Sequence, residues 1–461
     1  MSNSNPTPTG GSRVPAGAAP DVEHVVPTYP EPMDAIPIDA VPASPAPSRV
    51  KDLPLDGPVP KLVVGVSFGL LALTFMINAA DRQVFAPLLT GIRDEYGLSL
   101  TSGGLLATIF TLGMAVAGIP AGYLVERFSR KTVLIVAIVI YSLGTLATTL
   151  ATGWGDMALY RIISGLGEGM QAAALFAAVG AFFHLRRGLA LGILGFAFGL
   201  GVILGPLVGV KLATVYGSWR APFIIFGLIG LLLALIATFA VSRKFTERAI
   251  GGMGEAAASY DYMPVKAYNR NSLSLAGASM FGSVVLYGFL GLYPTFLTTQ
   301  LGVSTGEAAL ALSFVGFGGL TGLLGGWIGD KINQKALLIV SLVAMAVIGV
   351  LIYQVQASLG WQCFFAFLMG VFGTGVFFPN ANSSIQRAVR PNQVGRAAGL
   401  FVTCYYGSAA FSGLLFGALV GWFGWRGAGL VQVTLFSLIG AVILVRVRTS
   451  QFNNAPRAAA H

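Results

Sequence analysis

The sequence contains very little charge for its length, and only two cysteines. Of its 461 residues, 10% are charged, whereas soluble domains carry about 25%. Water therefore cannot be the solvent for most of the chain. Cys363 and Cys404 lie inside apolar runs and offer neither a disulfide framework nor a metal-ligand spacing. We therefore expect no metal site and no cofactor.

Histidine is nearly missing from the apolar segments. His24 lies in the amino-terminal tail, His184 at a predicted helix end and His461 at the terminus. No buried imidazole is available for acid–base chemistry, and no Ser-His-Asp, metal or phosphate-cradling set can be assembled. The sequence therefore predicts that the protein is not an enzyme.

Long apolar runs dominate the chain instead. Hydrophobic residues make up 55% and the mean hydropathy is +0.76. The 61 glycines suit membrane helices, where small residues let backbones approach closely. A bilayer core needs about 20 apolar residues per helix. Scanning with this length predicts an all-α membrane protein with twelve transmembrane helices, at 62–88, 102–123, 132–151, 156–183, 188–214, 221–241, 273–299, 307–328, 336–356, 361–385, 395–422 and 427–447.

Two polar segments divide the chain. Residues 1–60 are rich in Pro, Ala, Ser and Gly, which predicts a disordered cytoplasmic tail and not a signal peptide. Residues 242–271 form the one long polar interruption among the helices, a predicted cytoplasmic central loop. They separate a six-helix bundle at 61–241 from a second one at 272–447, and residues 448–461 form a cytoplasmic carboxy-terminal tail.

The two halves repeat each other in sequence. Residues 122–131, GYLVERFSRK, recur as residues 326–335, GWIGDKINQK, and Trp219-Arg220 recurs as Trp425-Arg426 at nearly the same offset. Two matches at nearly one offset indicate a duplicated, pseudo-symmetric six-helix unit. In transporters such repeats place the substrate site between the halves, near the bilayer midplane.

The net charge of +10 orients the helices and does not indicate nucleic-acid binding. Alternate counting of the helices places most basic loop residues on one side of the membrane: Arg127, Arg130, Lys131, Arg186, Arg187, Arg387, Arg390, Arg396, Arg446 and Arg448. By the positive-inside rule both termini and the central loop are cytoplasmic.

The segment after the second helix resembles the signature of the major facilitator superfamily: a glycine, an acid, an arginine and a basic pair. In that family it acts as a cytoplasmic latch, which implies a gate made of Gly122, Glu126, Arg127, Arg130 and Lys131, with Asp330 and Lys331 in the second copy. Charge-assisted contacts of this kind are strong when water is excluded. Glu126 departs from the usual aspartate of the signature, and Ser129 departs from the usual glycine.

Further motifs extend the resemblance over residues 62–447. Residues 161–169, RIISGLGEG, are similar to the fourth-helix motif of the superfamily, and the glycines between 195 and 209 are similar to its glycine-proline motif. Asp81-Arg82, together with Glu168, most resembles the anion:cation symporters and the related spinster-like group. The resemblance implies that Asp81 and Glu168 serve proton coupling and that Arg82 handles an anion.

Charged residues within membrane helices are costly and are therefore functional candidates. At about 1.5 Å of rise per residue, Glu168 lies about 18 Å into the fourth helix, on one stripe with Arg161. We expect substrate contacts from Asn78, Arg82 and Arg161 in the first half, and from Tyr287, Tyr293, Asn380, Asn382 and Tyr405 in the second.

Each charged candidate also has a structural interpretation. Asp81 and Arg82 could lie at the headgroup interface as snorkelling charges, Glu168 could be a fixed salt-bridge partner, and Arg161 could cap helix carbonyls. The polar residues of the second half could serve helix packing alone.

The sequence therefore predicts a proton-coupled importer of a small organic anion, in particular a carboxylate, working as a monomer in the bilayer of a bacterial inner membrane. Protons and the substrate are its expected partners, and nucleic acid is not. Two alternatives stay open: an exporter or exchanger of an amphiphilic or lipid-like substrate, and a membrane sensor that retains the transporter fold.

Overall fold

The described chain is built from helices that run through the apolar segments. The computed structural model describes residues 58–247, 260, 262–355 and 358–453. Within these ranges no β-strand occurs. The predicted disordered tail at 1–60 falls outside the described residues, apart from its last few positions.

Six long helices make up the first half. They are α1 (Lys61–Tyr96), α2 (Leu100–Arg127), α3 (Arg130–Thr148), α4 (Trp154–Phe182), α5 (Arg187–Tyr216) and α6 (Arg220–Ala240). Helix α1 extends well beyond the predicted end at residue 88. Asp81 and Arg82 therefore lie inside a helix and not at its end.

The second half is more interrupted. After the short helix α7 (Arg243–Glu247) come α8 (Arg270–Leu301), α9 (Thr305–Gly319), α10 (Gly322–Lys331), α11 (Gln334–Gln354), α12 (Leu359–Gly370), α13 (Phe378–Arg387), α14 (Val394–Ala428) and α15 (Phe436–Val445). Helices α9 and α10 together form one crossing. The π-helical segments Val371–Phe377 and Gly429–Leu435 join α12 to α13 and α14 to α15.

The last two predicted crossings form one continuous helical segment, Pro391–Val445, of 55 residues. At about 1.5 Å per residue its length is more than twice the roughly 30 Å of a bilayer core. Gly424 interrupts this segment with φ 65° and ψ 178°. Eleven segments of the described residues are long and apolar enough to span a membrane. The break at Gly424 divides the last of them, which accounts for the twelve predicted crossings.

The duplication is visible in the turn after the first helix of each half. Gly97 ends α1 and Gly302 ends α8, with φ of 62° and 64°, a left-handed conformation that glycine adopts without strain. Two residues later Ser99 and Ser304 accept backbone N–H bonds of 3.1 and 3.3 Å and cap the next helix. The same turn chemistry in both halves supports their pseudo-symmetry.

The ends of α1 define two faces of the molecule, the Lys61 face where α1 begins and the Tyr96 face where it ends. Near the Lys61 face the two halves touch through glycines. A Cβ added to Gly122 on α2 would lie 2.8 Å from the carbonyl oxygen of Gly395 on α14, and one added to Gly188 on α5 would lie 2.5 Å from that of Gly326 on α10. No side chain fits there, so the halves are closed against each other at this face.

Candidate functional site

A buried salt bridge joins α1 to α4 at the centre of the first half. Nη2 of Arg82 lies 2.9 Å from Oε2 of Glu168, and Nε of Arg82 donates to the same oxygen at 3.0 Å. The Glu168 side chain is fully buried and that of Arg82 is 8% exposed. Each of the two residues lies in the middle of a long helix, among residues that are mostly apolar. An ion pair removed from water in this way is strongly coupled.

A chain of amides fixes the orientation of Arg82. Asn78, one turn earlier on α1, accepts from Nη2 of Arg82 at 3.0 Å and donates to Oε1 of Gln171 at 2.8 Å. Gln171 in turn donates to Oγ1 of Thr74 at 3.2 Å. Asn78 and Thr74 share the Arg82 face of α1 because residues four apart on a helix lie above one another.

Asp81 forms a second polar group beside the first. Its Oδ2 accepts a 2.6 Å hydrogen bond from Thr145 of α3, whose hydroxyl also lies 3.1 Å from that of Ser164 of α4. Oδ1 of Asp81 has no hydrogen-bond partner among the described residues. Asp81 is completely buried, so its carboxylate does not reach water in the way that a snorkelling charge does.

Arg161 lies between two aromatic rings. Its guanidinium carbon is 4.3 Å from the ring centre of Phe85 and 4.1 Å from that of Phe110, a cation–π arrangement that holds the charge in place. Nε and Nη1 have no hydrogen-bond partner in the described part of the chain, so these two nitrogens do not cap helix carbonyls. Arg161 interacts electrostatically with Asp81 and Glu168.

The second half reaches the same site through tyrosines. The ring centre of Tyr406 on α14 lies 5.2 Å from the guanidinium carbon of Arg82, and that of Phe198 on α5 lies 5.4 Å away. Tyr287 on α8 interacts with Arg82 as well, and its ring lies 6.0 Å from that of Tyr405. Arg82 therefore lies where helices of both halves meet.

Three predicted substrate residues of the second half lie elsewhere. The hydroxyl of Tyr293 donates to the backbone oxygen of Gln362 at 2.9 Å. Asn380 donates to the carbonyl of Gly325 at 2.9 Å, and Asn382 accepts a 2.9 Å bond from a glutamine one turn later. These bonds connect helices or turns within the second half. None of these bonds joins the three residues to Arg82, and Oδ1 of Asn380 and Nδ2 of Asn382 are buried without a hydrogen-bond partner among the described residues.

Four hydrogen-bonding residues of the site were not predicted from the sequence: Thr74, Thr145, Ser164 and Gln171. Gln171 follows Glu168 by three residues and so shares its face of α4, a signal that helical spacing provides. Thr145 and Ser164 carried no such signal, since small hydroxyl residues in membrane helices commonly bond within their own helix.

Two acids connect the halves at the Lys61 face. Glu126 at the end of α2 accepts from the backbone nitrogen of Arg396 at 3.0 Å and from its Nε at 2.7 Å. Asp330 at the end of α10 accepts from the backbone nitrogens of Gly188 and Leu189 at 2.8 Å each, and from Arg387 at 2.6 Å. Each carboxylate thus lies at the start of a helix of the other half, where the helix dipole favours negative charge.

The other charged gate residues have contacts within their own half, whereas Gly122 packs against Gly395 of the other half. Glu247 accepts from the backbone nitrogens of Arg130 and Lys131 at 3.0 Å each. Arg127 is exposed and lies 5.8 Å from the ring of the adjacent Phe128, and Lys331 lies 3.7 Å from the ring of Trp327 one turn earlier. Of the predicted gate charges, Glu126 and Asp330 are therefore the two that join the halves in the described chain.

Comparison with known proteins assigns the chain to a protein family. The family model for the Major Facilitator Superfamily matches residues 71–411 and, in a second match, 273–460. The hexuronate transporter of Bacillus subtilis is 28% identical over 272 residues, which are 58% of this chain and 64% of that protein. The protein spinster of Drosophila melanogaster is 27% identical over 272 residues, 56% of this chain and 44% of that protein. These relatives confirm the resemblance found in the sequence.

Other relatives match over more of their length. The 4-hydroxybenzoate transporter PcaK of Pseudomonas putida is 27% identical over 392 residues, 78% of this chain and 84% of that protein. The chain spans less than two thirds of the hexuronate transporter and of spinster. Among solved structures, the proton:xylose symporter XylE has a TM-score of 0.66 at 16% identity, covering 84% of this chain and 96% of that one. This likeness confirms the predicted fold of an integral, multi-pass membrane protein.

Proposed function

Because the chain belongs to the major facilitator superfamily, and is therefore a membrane transporter and not an enzyme, we propose that it carries a small organic anion together with protons. The bundles at 61–241 and 272–447 would rock about the site at Arg82, exposing it to each side of the membrane in turn. Inward symport across a bacterial inner membrane, by a monomer with both termini in the cytoplasm, completes the proposal.

This proposal rests on the balance of four buried charges. Arg82 and Arg161 are cationic and Asp81 and Glu168 are anionic, so the group is formally neutral; the side chain of Arg82 is 8% exposed, and the other three residues are at most 1% exposed. An added carboxylate would leave one uncompensated negative charge in a dry interior, which costs several kcal/mol. Protonation of one of the two acids removes that excess. A monoanion would therefore enter with one proton.

Each acid has an oxygen available for that proton. Oε1 of Glu168 and Oδ1 of Asp81 have no hydrogen-bond partner in the described chain, and both are buried. A protonated Glu168 would also release part of its hold on Arg82 and free the guanidinium for a substrate carboxylate. Proton uptake and anion binding would then favour each other.

The relatives support an anionic substrate. The names of the hexuronate transporter and of the 4-hydroxybenzoate transporter identify organic anions that carry a carboxylate. A guanidinium is the side chain best suited to a carboxylate because it can donate two parallel hydrogen bonds. Arg82, at the boundary of the two halves, is the residue we assign to this contact.

The gate contacts support the orientation and the alternating access. With the Lys61 face cytoplasmic, Glu126 and Asp330 close the cytoplasmic side in the state described, since each accepts hydrogen bonds from the other half there. Opening that side requires both contacts to break. Hydration of the charged groups that then become exposed would offset much of the lost interaction energy.

The test is uptake by liposomes that contain the full chain and are loaded with an alkaline buffer. A panel of labelled carboxylates is added outside at lower pH, and we expect at least one to accumulate and a protonophore to abolish the accumulation. If no carboxylate accumulates, the proposed substrate class is wrong. Accumulation only under a sodium gradient, or only with the proton gradient reversed, would contradict proton symport or import respectively.

A further inference from the structure

Two aromatic rings and the phenol group of a third aromatic residue, from three helices, lie beside the guanidinium of Arg82. Phe198 of α5 and Tyr406 of α14 lie 5.4 and 5.2 Å from it, and Tyr287 of α8 interacts with it from the second half. We propose that the substrate is an aromatic monocarboxylate, with its carboxylate on Arg82 and its ring among these side chains, an assignment that rests on the proposed transport of an organic anion.

One nitrogen of Arg82 is left for the carboxylate. Nε is bonded to Glu168, and Nη2 is bonded to Glu168 and Asn78, whereas Nη1 has no hydrogen-bond partner in the described residues. A buried guanidinium N–H without a partner is unfavourable. This one nitrogen could donate to one carboxylate, and the balanced charges nearby do not accommodate a second.

The amide side chains beside Arg82 are already engaged with one another, and the hydroxyls of Tyr287 and Tyr406 interact with the guanidinium itself. The amides of Asn78 and Gln171 bond to each other, and Gln171 continues to Thr74, whose hydroxyl donates to the backbone oxygen of Leu71 at 2.8 Å. A sugar acid would bring several hydroxyls that need partners of their own. Each hydroxyl buried without a partner lowers affinity by about tenfold.

The tyrosine rings of the site form a cluster of aromatic contacts. Tyr287 meets Tyr405 at 6.0 Å and 80°, and meets Tyr406 at 6.5 Å and 76°. These are edge-to-face contacts within the range that aromatic pairs prefer. An aromatic substrate would therefore gain ring–ring contacts with these side chains. An aliphatic substrate would gain only the burial of apolar surface.

Titration calorimetry on the purified full chain tests this assignment with three anions. Benzoate is the aromatic probe, cyclohexanecarboxylate has similar size without aromaticity, and glucuronate carries several hydroxyls. We expect benzoate to bind at least tenfold more tightly than glucuronate and severalfold more tightly than cyclohexanecarboxylate. Glucuronate binding as tightly as benzoate would overturn the proposal.

Substitution of Phe198 distinguishes a contact between aromatic rings from a general loss of binding or folding. Phe198→Leu should weaken benzoate by fivefold or more and leave cyclohexanecarboxylate within about twofold, and Phe198→Tyr should restore benzoate. Phe364→Leu is the matched control, since Phe364 is 46% exposed on α12, and it should change neither affinity. Equal weakening of both anions by Phe198→Leu would show that the ring acts through packing alone, and would contradict the proposal.

The aromatic assignment and the proposed anion symport can be tested separately. If a non-aromatic carboxylate such as glucuronate is concentrated by a proton gradient and benzoate is not, the aromatic assignment is wrong and anion symport stands. If no member of the carboxylate panel is bound or concentrated, both are wrong.

Discussion

Arg82 on α1 holds Glu168 on α4 by a single carboxylate oxygen. Two nitrogens of the arginine lie 2.9 and 3.0 Å from Oε2, whereas Oε1 is buried and has no hydrogen-bond partner in the described residues. A purely structural pair would gain more from a bidentate arrangement with both oxygens engaged. The one-sided contact leaves an oxygen that can take a proton without first breaking the pair.

Glu168→Gln removes this site of protonation while it keeps the shape of the side chain. We expect the variant to lose proton-driven accumulation and to retain exchange of substrate across a membrane with no proton gradient, because an amide resembles only the protonated acid. Uptake and counterflow in liposomes measure the two activities on the same preparation.

Glu168→Asp is the control that retains an ionisable group. It should keep part of the coupling with an altered pH dependence, because the shorter side chain changes the distance to Arg82. Should the glutamine variant still concentrate substrate under a proton gradient, Glu168 has a structural role and coupling would rest with Asp81.

The neutral sum of the four buried charges predicts transport without net charge movement. One monoanion and one proton together add no charge to Arg82, Arg161, Asp81 and Glu168. Accumulation of a monocarboxylate should therefore not change by more than about twofold when a potassium diffusion potential of either sign is imposed. A potential that drives accumulation by itself would exclude a stoichiometry of one to one.

Charge balance also predicts that one substitution will compensate for another. Arg161→Gln leaves the group with a net negative charge and should weaken anion binding by about tenfold or more. Adding Asp81→Asn restores neutrality, and we expect the double variant to bind within about threefold of the unaltered protein. Calorimetry with the transported anion measures both. A double variant that binds no better than Arg161→Gln would refute charge balance as the cause.

The sequence predicted the charged part of the site because charges in membrane helices are rare and costly. Asp81, Arg82, Arg161 and Glu168 were identified for that reason, and the structure places them in mutual electrostatic contact. The helices themselves followed from their apolar length. Gly424, however, showed no sign in the sequence that it alone would separate the last two crossings.

Polar uncharged residues were harder to assign, because in membrane helices they serve packing as often as binding. Tyr287 and Tyr293 lie on the same helix, yet one interacts with Arg82 and the other donates to Gln362. Their spacing of six residues puts them on different sides of a helix with 3.6 residues per turn. The sequence analysis assigned both tyrosines to the substrate, and the structure places only Tyr287 in interaction with Arg82.

The partners of the gate residues could not be predicted from the sequence motif. The repeat identified the acids at the ends of α2 and α10, but the partner of Glu126 is Arg396, which lies in the other half of the chain. A local motif contains no information on a partner so distant in sequence. The neighbouring Arg127 fits the motif equally well, and its guanidinium is exposed.

The contacts of Glu126 and Asp330 lead to the last prediction, which concerns the closed Lys61 face. Glu126→Gln combined with Asp330→Asn replaces both carboxylates by amides, which accept weaker hydrogen bonds from the helix starts and form no ion pair with Arg396 or Arg387. The Asp330–Arg387 pair lies within the second half and is about nine-tenths buried, so the contacts of Asp330 that hold the halves together are those to the backbone nitrogens of Gly188 and Leu189. We expect the double variant to shift the population toward a form open at this face, and substrate exchange to slow.

Distances between spin labels at Leu185 and Ile332 measure that shift, with Cys363 and Cys404 replaced by serine. Both label sites are at least half exposed, at 59% and 50%, and they lie on opposite halves at the Lys61 face. A longer-distance population should grow in the double variant. Arg127→Ala is the matched control and should leave the distribution unchanged, because Arg127 makes no ion pair with a described residue of the other half. An unchanged distribution in the double variant, or an equal shift in Arg127→Ala, would show that these two acids do not hold the face closed.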